Sequence, residues 1–113
     1  SGQQMREFLY VDDMAEASLF VLELDKKIYD ANTKPMLSHI NIGTGKDITI
    51  KELANLIKEV VGFKGRLFFD TSMPDGTPKK LIDVSRISKM GWNYKTELKE
   101  GLHKTYEWFL KNV

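Results

Sequence analysis

Residues 5–24, MREFLYVDDMAEASLFVLEL, change periodicity halfway. Met5 to Tyr10 is apolar and aromatic with Arg6 and Glu7 interleaved, which predicts a short strand. Asp12 or Asp13 then offers an N-cap, and the pattern becomes helical through about Asp25. Met14, Ala17, Ser18 and Val21 form one stripe, and Ala15, Leu19 and Leu22 a second beside it. A helix apolar over that much of its circumference is expected to be deeply buried.

The same switch recurs further on. Residues 29–37 carry Asn, Thr and Pro and read as a loop. SHINIGTG (38–45) reads as a brief strand, apolar at Ile40 and Ile42, ending in a glycine turn. Thr49 and Glu52 have capping-box spacing, Ile50, Leu53, Ala54, Ile57, Val60 and Val61 recur at helical intervals, and Gly62 supplies a stop. GRLFFD (65–70) reads as a strand centred on Leu67 to Phe69, and 71–78 as a turn-rich loop. Residues 80–83 are expected as a short strand and VSRISKMG (84–91) as a short helix stopped by Gly91. A last helix runs from Thr96 as N-cap to about Lys111, with Leu98, Gly101, Leu102, Thr105, Trp108 and Phe109 on one face. Strands alternating with helices give an α/β or α+β arrangement. So few short strands leave sheet edges that need cover from elsewhere.

The chain has 113 residues, room for one small domain. Its 42% apolar and 29% charged residues are those of a globular protein. Seventeen basic and 16 acidic residues give a net charge of +1, which argues against nucleic acid or an anionic membrane as a partner held by bulk charge. No run approaches the roughly 20 apolar residues of a spanning helix. The absence of cysteine removes disulfide and thiol chemistry from this chain and is compatible with a cytoplasmic location.

No catalytic set is evident. His39 and His103 are far apart, and His39, in an apolar stretch, reads as structural, while His103 is expected half exposed. The positions four residues after Tyr10, Tyr29, Tyr94 and Tyr106 hold Met14, Thr33, Leu98 and Leu110, so no Tyr-x-x-x-Lys pair exists. Gly43 and Gly45 are followed by Ile48, so the dinucleotide-binding glycine motif fails at its third glycine. That turn reads instead as a strand end needing a permissive φ. Trp108 with Phe109 reads as a core stripe.

Arg6 and the 75–80 loop stand out. A long cation in an otherwise apolar strand costs desolvation, and the planar guanidinium suits a diphosphate through paired charge-assisted hydrogen bonds. Asp75, acceptor-only at neutral pH, is able to hold the hydroxyls of a ribose or sugar. Lys79 and Lys80 add positive charge beside it. The alternative reading is that Arg6 pairs with Glu7 or Asp12 and that the lysines are merely solvated.

MREFLYVDDMAEA, NIGTGKDITIKELANLI, GFKGRLFFDTSMPDGTPKKLIDVSRISKMGW and ELKEGLHKTYEWFLKN together resemble the C-terminal third of the GDP-L-fucose synthases. These are a branch of the extended short-chain dehydrogenase/reductase family. The Arg-Glu-Phe strand leading to Val-Asp-Asp, the Asn-Ile-Gly strand end and the Gly-Trp before the last helix are shared across the extended family, whereas PDGTPKKLIDVSR is specific to the branch. The resemblance implies the substrate-binding portion, residues 1–113, of a Rossmann-type enzyme, with the cofactor-binding lobe absent. The whole enzyme epimerises GDP-4-dehydro-6-deoxy-D-mannose at C3 and C5 and reduces it at C4 with NADPH, usually as a homodimer. Its glycine motif, its Ser and Tyr-x-x-x-Lys set and its epimerising Cys and His lie upstream of the part resembled here, so the chain alone is expected to be inactive. Ser1–Gly2 fits as family sequence, because a substrate-contacting Trp-Gly precedes such a Ser-Gly there. By the same resemblance Arg6 matches the arginine facing the GDP diphosphate, Asp75 the substrate-binding aspartate and Lys80 a basic position near the substrate. Separated from its partner lobe, the chain is expected to expose apolar surface and associate with itself. Another extended family member, an epimerase or dehydratase of nucleotide sugars, and a non-catalytic binding module are the rival expectations.

Overall fold

A strand requires a neighbour to accept its backbone groups, and in the computed structural model, which describes residues 1–113, neighbours are scarce. Of the predicted Met5–Tyr10 strand only β1 (Met5–Arg6) is paired. It is the middle strand of a three-stranded sheet, antiparallel to β2 (Ile48–Thr49) and parallel to β3 (Lys79–Lys80). Arg6 stands opposite Ile48 on one side and Lys80 on the other. Further backbone bonds from Met5 N to Pro78 O, Ile50 N to Gln4 O and Lys51 N to Gly2 O tie the start of the chain into the same layer. Gly2 has φ +78°, and a Cβ there would lie 2.7 Å from the Phe69 ring, so only glycine lets the chain pass.

The predicted strands at 38–43 and 65–70 do not form. The first is held by side chains instead: Arg86 donates to the carbonyl of His39, Asn41 to that of Asp83 and Tyr29 to that of Ser38. Ile40 and Ile42 still pack on the core, so the apolar pattern is read correctly while the backbone partner is missing. The second has no neighbour, and Phe68 is 90% exposed. His39 is exposed rather than structural within a strand, and His103 is exposed too.

The helices follow local signals more closely. α1 (Val11–Leu22) begins one residue before Asp12, with Tyr10 as N-cap and no side-chain cap bond. Neither aspartate is the cap; both lie in the first turn, where negative charge favours the helix dipole. α2 (Lys26–Asn32), capped by Asp25, occupies part of the predicted 29–37 loop. α3 (Ile50–Val61) has the full capping box, with Glu52 N donating to Thr49 Oγ1 and Thr49 N to Glu52, and ends at Gly62 in the left-handed region. α4 (Ser85–Met90) stops at Gly91, φ +108°, and α5 (Leu98–Asn112) begins after Glu97 rather than Thr96.

Thr49→Ala is expected to cost about 1 kcal/mol in chemical denaturation, the usual loss of an N-cap. The hydroxyl and backbone N–H of Thr49 hold the Glu52 carboxyl below the ordinary range. A carboxylate with a depressed folded-state pKa stabilises fully above its unfolded pKa and progressively less as pH falls through the folded value. The mutational penalty should therefore shrink on acidification below the ordinary carboxylate range, checked by repeating the unfolding at low pH.

Nine of the 113 residues are buried, and the apolar core is Ala17, Ile87, Met90 and Trp92, between α1, α4 and the segment that follows it. The Trp92 indole N–H reaches Glu16 at 3.1 Å, so its one polar group is satisfied. α1 is not deeply buried. Ala17 is covered, but Val11, Met14, Leu19 and Leu22 are exposed, Leu22 at 79%. The predicted α5 core stripe is also open: Gly101 is buried, whereas Trp108 is 64% exposed and Phe109 about half. The extents are 54 × 36 × 20 Å and the radius of gyration 17.4 Å, against about 13 Å for a compact domain of this length. This is a flat α/β layer with apolar surface on show. No helix is long and apolar enough to cross a membrane.

Candidate functional site

β1 carries Arg6 at the centre of the sheet, and β3 delivers the Pro-Asp-Gly loop beside it. The Arg6 Nη1 donates to the carbonyls of Thr77 at 2.8 Å and of its own neighbour Met5 at 2.7 Å. A Cβ on Gly76 would stand 3.4 Å from Nη2, so the guanidinium lies against the loop backbone. It makes no ion pair with Glu7, Asp12 or any other carboxylate. The pairing alternative for Arg6 is thus overturned: Glu7 faces other partners, and the arginine keeps its charge uncompensated.

Asp75, next in the loop, accepts from the Ser1 amino group at 2.6 Å, from the Ser1 hydroxyl and from Gln4 Nε2 at 3.0 Å. Lys80 is exposed, directly opposite Arg6, with no ion pair. Lys79 is no free cation: its Nζ lies 3.4 Å from Asp47. Arg6 and Lys80 are thus neighbours across the sheet, and Arg6 lies against the loop that carries Asp75.

The glycine turn at 43–45 proves to be an anion cradle already filled from within. Glu7 Oε2 accepts from Thr44 N at 2.8 Å and Gly45 N at 2.6 Å, and Gly45 has φ +73°. A side-chain carboxylate thus takes the donors that a phosphate loop would offer, in line with the failed glycine motif.

Two connections escape sequence reasoning. Asp13, 4% exposed, crosses from α1 to accept from Lys95 N at 3.0 Å and Thr96 N at 2.8 Å. Its neighbour one turn on, Glu16, receives Trp92 and Lys95, which together pull its carboxyl low, Lys95 foremost. Gln4 positions Asp75, and its own side-chain oxygen is buried without a donor. A run of two acids at a helix start signalled Asp13 but pointed to capping its own helix.

Residues 1–43 match the model of the NAD dependent epimerase/dehydratase family. Over 112 residues, 99% of its length, the chain is 59% identical to GDP-L-fucose synthase of Escherichia coli K12, of which it covers 35%. Among solved structures, a GDP-6-OMe-4-keto-L-xylo-heptose reductase from C. jejuni superposes on all of the chain with TM-score 0.89 and 42% identity, over 33% of that protein. A GDP-L-fucose synthetase from Naegleria fowleri bound to NADP matches 99% of the chain and 33% of its own length with TM-score 0.82 and 26% identity. The chain spans about a third of the length of the relatives it matches. Along its whole length this chain is similar, by sequence and by fold, to a part of GDP-L-fucose synthase and of related GDP-sugar reductases.

Proposed function

We propose that residues 1–113 are the nucleotide-sugar-binding part of an NADPH-dependent epimerase/reductase that converts GDP-4-dehydro-6-deoxy-D-mannose to GDP-L-fucose. The observation that carries this reading is an arginine with no carboxylate partner, packed on a Pro-Asp-Gly loop one residue from an aspartate. Arg6 presents its unused N–H donors to the diphosphate; paired charge-assisted hydrogen bonds give both affinity and orientation. Asp75 accepts from sugar or ribose hydroxyls. Lys80 adds a favourable field for an anion.

The chemistry belongs to other residues of the complete enzyme. NADPH, held by a Rossmann lobe outside these residues, would supply hydride to the C4 carbonyl, and these residues hold no Tyr-x-x-x-Lys pair to deliver the proton. That lobe is a natural cover for the exposed apolar face of α1 and for the edges of the small sheet. The complete enzyme is expected to work as a homodimer.

The experiment is product analysis. The full-length protein, incubated with NADPH and GDP-4-dehydro-6-deoxy-D-mannose, should yield GDP-L-fucose. The 42% identity to a GDP-4-keto-heptose reductase supports one second reading, reduction of a related GDP-4-keto sugar. Turnover of a keto-heptose substrate in preference to the deoxymannose one would select it. Asp75→Asn, which halves the acceptor capacity toward hydroxyls, should weaken nucleotide-sugar binding by about 0.5–1.5 kcal/mol, measured by titration calorimetry, with NADPH binding unaltered.

A further inference from the structure

We infer that Glu7, through the backbones it grips, is the positioning residue that sets Arg6 and the 75–80 loop in register. This rests on the anion-binding reading of Arg6 above. The sheet holding Arg6 has only two paired residues per strand, far below the three or more strands of ordinary length that hold one another in register. Something else has to fix both neighbours of β1. The Glu7 carboxylate is placed to do it. Oε1 accepts from Ile82 N at 3.2 Å, two residues past β3, while Oε2 accepts from Thr44 N, Gly45 N and the Thr44 hydroxyl, just ahead of β2.

One side chain therefore grips both flanking segments immediately beyond the rungs at which they pair with Arg6. Glu7 follows Arg6 directly at the end of β1, so the clamp sits one residue from the guanidinium it sets. Gly43 belongs to the same device. A Cβ there would lie 2.6 Å from Glu7 Oε2 and 2.9 Å from Ile82, so only glycine admits the carboxylate. A carboxylate is needed rather than an amide: both oxygens accept, from donors on two separate segments, and an amide would turn an NH2 toward one of them.

Kinetics of the full-length enzyme test the assignment. Glu7→Gln should raise KM for the GDP-sugar about five- to tenfold, the scale of one misplaced hydrogen-bond contact. KM for NADPH and kcat at saturation should move by less than about twofold, because cofactor and proton donors lie elsewhere. A merely structural loss would lower the folded, active fraction and so kcat, leaving both KM values alone; that result overturns the positioning role. Should Glu7→Gln fail to fold, Gly43→Ala displaces the carboxylate while leaving it in the sequence, and the same split is expected. Arg6→Ala separates the two readings. A raised KM in Arg6→Ala with no change in the Glu7 and Gly43 variants removes the clamp and spares the site. Unchanged KM in all three removes both.

Discussion

Asp13→Ala is expected to destabilise the chain by about 2–4 kcal/mol in urea unfolding, because it strips the acceptor from two backbone donors at once. Those donors, Lys95 N and Thr96 N, lie 82 and 83 residues along the chain, and Thr96 is itself buried. An unpaired buried N–H costs about 1–3 kcal/mol, more than the net worth of the bond it lost. A second carboxylate acts beside it: Glu16, one turn along α1, takes the Trp92 indole and Lys95. Together they fasten the first helix to the segment leading into the last. Asp13→Asn keeps one acceptor and should lose less. If the alanine variant unfolds at the same urea concentration as the parent, Asp13 anchors nothing, and the coupling of α1 to the 92–96 segment must be sought in the packing of Ala17 against Trp92.

Arg6→Ala, in the complete enzyme, should weaken GDP-sugar binding by about 1.5–3 kcal/mol, the range for a hydrogen bond to a charged group. In dissociation constants that is about 10- to 150-fold. NADPH affinity should change little, since the cofactor is assigned to other residues. The arginine's charge is available because no carboxylate shares it, and its fork is held by the Thr77 carbonyl, so little reorganisation is needed on binding. Arg6→Lys keeps the charge but loses the planar fork and should recover only part of the loss. Titration calorimetry showing full affinity in Arg6→Ala would end the diphosphate assignment. High salt should weaken the parent's binding more than the variant's.

Features set by a few neighbouring residues were readable in the sequence. The Thr49–Glu52 capping box, the left-handed stops at Gly62 and Gly91 and the turn-rich loop at 71–78 form as read, and α5 forms one residue later than its expected cap. Each depends on groups within about four residues, so composition and spacing are sufficient. The residues proposed for the site were conspicuous in the sequence, because an arginine in an apolar stretch and an acidic turn stand out wherever they lie.

Tertiary structure decided everything that needs a partner. Residues 38–43 and 65–70 have strand-like patterns, yet a strand exists only through a neighbour's backbone, and none is at hand. The stripes of α1 and α5 have the right period, but period says which face is apolar and not what covers it; Leu22 and Trp108 lie open. From its immediate surroundings Asp13 was one of two candidate caps, and Glu7 entered only in the alternative reading, as a partner of Arg6. Their carboxylates instead reach backbone donors 37 to 83 residues away. Local sequence fixes which groups carry charge and where helices start and stop; only the folded chain determines which distant donors those charges meet.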